Sequence, residues 1–181
     1  MAMRPTDVLR REHEIILHAL GLLERVAQQL ARGGAVAATT ARPLAAFFRD
    51  FADAFHHVKE EGVLFPAMIA AGMPSHGGPI AVMLHEHNLG RALVRTLNEQ
   101  AHLEDDEARR RFAEAARGYV ELLGAHIQKE NQILFRMADQ ILDPAGDAQL
   151  LDDYARRVEE AVGPGLEERC VGELSAVAAQ L

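Results

Sequence analysis

The chain has 181 residues, 49% of them hydrophobic and 25% charged, with a formal net charge of −8. That length and composition support one folded domain with a sizeable core and exclude an extended disordered chain. The acidic balance excludes a nucleic-acid-binding face, and the single cysteine, Cys170, excludes a disulfide framework or a thiolate metal site within one chain.

No apolar run reaches membrane-spanning length. Arg10, Arg11, Glu12, His13 and Glu14 interrupt any apolar signal core near the start, so a cytoplasmic protein with no membrane partner is expected. Arg109, Arg110 and Arg111 form a short basic run between acidic residues and read as a solvated helix face. The compositional excess is histidine, with nine in the chain.

Residues 1–5 read as a short tail, with Thr6 or Asp7 able to cap a first helix. Along that helix Leu9, His13, Ile16, Leu20, Leu23, Ala27 and Leu30 recur at helical spacing, and Gly33-Gly34 ends it. Thr39 or Thr40 can start a second helix, with Pro43 in its first turn. Phe48, Ala52, Phe55, His56, Glu60, Val63 and Ala67 share its inner face, and Pro66 is expected to loosen its last turn. The Gly- and Pro-rich stretch 72–79 divides the chain into halves.

A third helix starts near Pro79 and carries Ile80, Met83, His87, Gly90, Val94 and Leu97 inward. A fourth follows Asp105-Asp106 and carries Phe112, Ala116, Tyr119, Leu123, His126, Glu130, Ile133 and Met137, ending near Asp143-Pro144. Beyond Gly146 two further helices are predicted, around Leu150–Val158 and Leu166–Leu181, separated by Gly163-Pro164-Gly165. The expected fold is all-α: an up-down four-helix bundle over residues 1–143, with a helical C-terminal extension, 144–181, packed on its outside.

The two halves repeat. His56-His57-Val58-Lys59-Glu60 is matched seventy residues later by His126-Ile127-Gln128-Lys129-Glu130, and Glu12-His13 by Glu86-His87. A His and a Glu four apart lie about 40° apart around a helix, so both can reach one point beside it. One such pair alone is common and weak. Two of them, together with one inward His on each remaining helix, would bring His13, His56, His87, His126, Glu60 and Glu130 to the centre of the bundle.

Burying such a group bare would cost about 1–3 kcal/mol per unpaired polar atom, and more for an ion. Bound metal removes that cost, and imidazole with carboxylate suits Fe, Zn or Mn. Two carboxylates between two metals would bridge them, giving each metal two His nitrogens and an oxygen from each bridge. The repeat also selects within the motif. Ile127 stands where His57 stands, and Asn131 where Glu61 stands, so His56 and Glu60 are the expected ligands. His85 points away from His87, and His18, His76 and His102 carry no expected role. Tyr119, seven residues before His126 on the same face, reads as a core aromatic, with a contact to the ligands or to one metal as the functional alternative.

These motifs (Glu12-His13, the run His56–Pro66, His85-Glu86-His87 and the run His126–Phe135) resemble the hemerythrin-like, or HHE cation-binding, domain, over about residues 6–142. The resemblance implies a four-helix bundle holding a non-haem, carboxylate-bridged pair of iron ions. Oxygen-carrying members have a second His one turn from the first on the third helix, where this chain has Met83 and Arg91. Their fourth-helix carboxylate is an Asp one residue further on than Glu130. The four-His, two-Glu set is similar instead to bacterial and regulatory members. It implies reaction with O2, peroxide or nitric oxide in sensing, detoxification or catalase-like chemistry, rather than oxygen transport. The alternative expectation is an iron-binding storage or regulatory module without turnover, acting through a protein partner.

Overall fold

A computed structural model describes residues 3–181. Of the expected N-terminal tail, Met1 and Ala2 lie outside the described residues, and Pro5 already belongs to the first helix. Helix α1 (Pro5–Ala31) begins slightly before the expected caps. Pro5 opens it with its preset φ, and the Asp7 carboxylate reaches back to accept the Arg4 backbone N–H at 3.0 Å. Thr6 therefore sits inside the helix and donates its hydroxyl to Asp139 instead, at 2.6 Å.

The second long helix is built in four pieces. Helix α2 (Ala38–Phe47) runs into a wide, π-helical stretch, Phe48–His57, then a π turn, Glu60–Leu64, and then α3 (Phe65–Ala70). Pro43 lies inside α2, past its first turn. In the loop after α3, Gly72 and Gly77 adopt positive φ, a backbone conformation that favours glycine. Helix α4 (Pro79–Gln100) follows, and then α5 (Asp106–Lys129), capped by Asp105, whose carboxylate accepts the Ala108 N–H at 2.7 Å. A π turn, Glu130–Leu134, joins α5 to α6 (Phe135–Ile141). The chain ends in α7 (Asp147–Val162) and α8 (Leu166–Ala178).

Helix α1 packs on α5, α5 on α4, α4 on the second helix, and the second helix on α1, which closes a ring of four. Among the described residues there is no strand, and no helix is long and apolar enough to cross a membrane. Helix α7 lies against α1 and residues 48–64. Helix α8 lies against α1, α2 and residues 48–57, and buries Leu166, Cys170, Leu174 and Val177.

The apolar interior is divided in two. A larger cluster contains Ile16, Leu20, Leu23, Phe48, Phe51, Phe55, Leu97, Phe112, Tyr119 and Leu123. A smaller one contains Leu9, Leu64, Phe65, Met68, Met83, Leu134 and Phe135. On every long helix the His or His/Glu positions fall between residues of the two clusters: Leu9, His13, Ile16 on α1, and Leu123, His126, Glu130, Leu134 on the fourth. A polar layer is thus clamped between two apolar ones.

The π turns change the register of the inner face. Ile133 and Met137 were expected to continue the stripe beyond Glu130, but Ile133 is exposed (53%) and Met137 only partly buried. The buried positions are Leu134 and Ala138, each one residue later. The second helix shows the same shift from Ala67, partly buried, to Met68, which is buried. A π turn closes its hydrogen bonds at i→i+5, so it holds one residue more than an α turn and advances everything after it. Pro66 cannot be the general cause, because the fourth helix has the same turn with Arg136 in the matching place.

Candidate metal centre

Each long helix delivers its share of the polar layer. His13, His56, His87, His126, Glu60 and Glu130 are all 0–2% exposed. Glu60 reaches toward His56 Nε2 with Oε1 (3.5 Å) and toward His87 Nε2 with Oε2 (3.4 Å). Glu130 Oε2 lies 3.2 Å from His13 Nε2 and 3.3 Å from His126 Nε2. Each carboxylate therefore spans the two halves of the repeat. The ligand atoms of His13, His56, Glu60 and Glu130 lie within 4.8 Å of one another, as do those of His57, Glu60, His87 and His126.

The outer nitrogens determine what the inner ones offer. His56 donates from Nδ1 to Glu12 at 2.8 Å, and His126 from Nδ1 to Glu86 at 2.8 Å. His87 donates from Nδ1 to Glu61 at 2.6 Å, and His13 from Nδ1 to Asn131 at 3.0 Å. With the proton on Nδ1, each neutral ring turns an Nε2 lone pair inward. His87 Nε2 and His126 Nε2 then face each other at 3.1 Å as two acceptors. Both oxygens of Glu60, both of Glu130 and Nε2 of His13 have no hydrogen-bond donor. With the rings neutral, six buried side chains present acceptors to one another, an arrangement that a cation shared among them relieves.

The electrostatics show how strongly the carboxylates favour positive charge at this place. Burial opposes charge on His56, yet Glu60 and Glu12 outweigh it and push the ring up to about 10. Burial likewise opposes charge on His126, and Glu130 and its other neighbours push it up to about 9. Glu130 is held well below the usual carboxylate range by His126 and His13, against the effect of burial. The cluster draws positive charge inward, and protons and metal compete for the same lone pairs.

The outer residues obey the repeat as strictly as the inner ones. Glu12 also accepts from Lys59 Nζ at 2.7 Å, and Glu86 also accepts from Lys129 Nζ. Lys59 is buried, with its ammonium 3.4 Å from the centre of the Phe55 ring, whereas the Lys129 side chain is 38% exposed. Glu61 and Asn131 hold equivalent places and do equivalent work on His87 and His13. The matches of Lys59 with Lys129 and of Glu61 with Asn131 are visible in the sequence, but the contacts they make are not. The signal was there: a Glu directly before the single His, and a Lys directly before the inward Glu, in both halves.

The halves differ around His57. It is buried and stacks face to face on His87, with ring centres 3.7 Å apart and planes 16° apart, and it donates from Nδ1 to Asp53 at 3.2 Å. Arg91 ties Asp53 (2.8 Å) to Glu61 (2.7 Å). A cation in the plane of the His87 ring lies off the plane of a ring stacked on it, so in this pose His57 walls the site rather than closing on it. Tyr119 packs edge-on against Phe48 (5.0 Å), and a Cβ at Gly90 would sit 3.4 Å from its ring. Among the described residues no hydrogen bond joins it to the cluster. His18, His76, His85 and His102 are exposed.

A family model described as the hemerythrin HHE cation binding domain matches residues 4–138. No curated protein and no solved structure matches the chain.

Proposed function

Because the chain belongs to the hemerythrin HHE cation-binding family, we propose that its polar layer holds two iron ions and that the centre binds or reacts with O2, peroxide or nitric oxide. His13 and His56 would hold one ion and His87 and His126 the other, with Glu60 and Glu130 between them. The observation that carries this reading is the convergence of four buried imidazoles and two buried carboxylates, with both oxygens of each carboxylate and Nε2 of His13 lacking a hydrogen-bond partner. Imidazole and carboxylate also suit zinc and manganese, so iron is the part that metal analysis tests.

When bound, such a metal pair supplies open coordination positions and electrons to a small oxidant. The protein's share is to orient and to exclude water. Glu12, Glu86, Glu61 and Asn131 fix the tautomer and tilt of the four rings. Lys59 and Lys129 balance the charge of Glu12 and Glu86. Phe135, stacked 5.4 Å from His13, and Phe65, 6.1 Å from His87, close one side of the layer against water.

A second reading, iron storage or regulation without turnover, draws support from the burial of all six residues, which limits access from solvent. The two readings separate on one experiment: the visible spectrum of the iron-loaded protein before and after peroxide or nitric oxide. Spectral change with turnover supports the first. A spectrum indifferent to both, with iron retained, supports the second.

A further inference from the structure

The C-terminal helices lie beyond the residues that match the family, yet one of their side chains is buried in the smaller apolar cluster that borders the polar layer. Tyr154, on α7, is 3% exposed, and its hydroxyl has no hydrogen-bond partner. A buried phenol normally finds one. It belongs to the smaller apolar cluster with Leu9, Val63, Leu64 and Phe135. Leu9 lies one turn before His13, Val63 and Leu64 lie one turn after Glu60, and Phe135 stacks on His13.

The hydroxyl sits in the field of Glu60 and Glu12. Burial and these carboxylates, together with Asp147, push the phenol up and keep it protonated, so it can only donate toward them. Both Glu60 oxygens also lack a donor. Helix α7 touches α1 and residues 48–64, the elements that carry His13, His56 and Glu60. The repeat has no second copy of this helix, so the extension breaks the twofold likeness of the two positions.

A cleft between the second helix and α7 opens beside it, lined by Gly62, Val63, Pro66, Leu150, Asp153 and Arg157. Arg157 lies across Gly62 so closely that a Cβ there would come within 3.3 Å of its Nε. The cleft thus pairs an apolar floor with a rim of both charges, Arg156 and Arg157 beside Asp153 and Glu160.

We propose that Tyr154 is a specificity-determining donor supplied by the C-terminal extension: its Oη–H hydrogen-bonds a small anionic ligand held at the His13–His56 position. This rests on the metal-centre reading. In the iron-loaded protein, Tyr154→Phe leaves metal content unchanged and weakens azide binding by about fivefold to tenfold, the loss of one hydrogen bond. Tyr119→Phe leaves azide affinity unchanged. The chain has no tryptophan and two tyrosines, so ultraviolet emission from Tyr119→Phe reports Tyr154 alone. That emission changes when azide is added to the zinc-loaded protein, and emission from Tyr154→Phe does not. Equal azide affinity in native protein and Tyr154→Phe, loss of metal from Tyr154→Phe, or a silent Tyr154 signal overturns the proposal. Failure of the unmodified protein to bind iron or zinc would instead overturn the centre itself.

Discussion

Glu12 accepts the Nδ1–H of His56 at 2.8 Å while its other oxygen accepts Lys59 Nζ at 2.7 Å, and all three residues are buried. One carboxylate thereby sets the direction of a candidate ligand and neutralises an ammonium buried with it. Glu86 does the same for His126 and Lys129 nearer the surface. Equal roles with unequal burial give unequal costs.

Glu12→Ala strands the buried Lys59 charge and is expected to destabilise the protein by about 3 kcal/mol. Glu86→Ala leaves Lys129 free to turn to water and is expected to cost about 1 kcal/mol. Both should weaken zinc binding by roughly tenfold or more, because each frees a ring to tilt or change tautomer. Thermal melts and zinc titrations of the two variants check this. Equal destabilisation by both would count against the difference in burial as its cause.

His57→Ile installs the residue that the second half carries at Ile127. Because His57 stacks on His87 instead of sharing its plane, metal content should stay the same. Stability should fall by about 1 kcal/mol with the loss of the bond to Asp53. Metal analysis decides: loss of one metal per chain would make His57 a ligand.

Asp53 is a test of pH dependence away from the six candidate ligands. Burial raises its carboxyl, but His57 and Arg91 outweigh burial and hold it at about 2 against an ordinary 3.8. A depressed carboxylate contributes stability that is present above the unfolded value and lost as pH falls through the folded one. Discounted for partial exposure, its contribution is about 1 kcal/mol. The stability difference between native protein and Asp53→Asn should therefore be full at pH 5 and shrink between about pH 4 and pH 2. Denaturant titrations across that range check it, and a difference that grew on acidification would carry the wrong sign.

The inner stripes of α1 and α4 were legible in the sequence because nothing interrupts their period. Ile80, Met83, His87, Gly90, Val94 and Leu97 are the buried residues of α4. The six-residue cluster was legible because its spacing was printed twice. The shift from Ile133 to Leu134 was not, since a π turn leaves no mark in a hydrophobic period and shows only as a stripe that fails one residue later. Glu12 and Lys59 were visible as repeated residues, but their contact with His56 joins two helices, and spacing along one helix does not report that. Tyr154 was hidden for a different reason. It lies outside the repeat, on a helix whose docking angle no local pattern encodes.

Four imidazoles and two carboxylates are the proposed holders of two iron ions. Metal analysis of the purified protein, set beside His56→Ala/His126→Ala, tests this assignment most directly. Two irons per chain are expected in the native protein and none in the double variant, with the helical content of both retained. Two irons retained after both histidines are removed would contradict it.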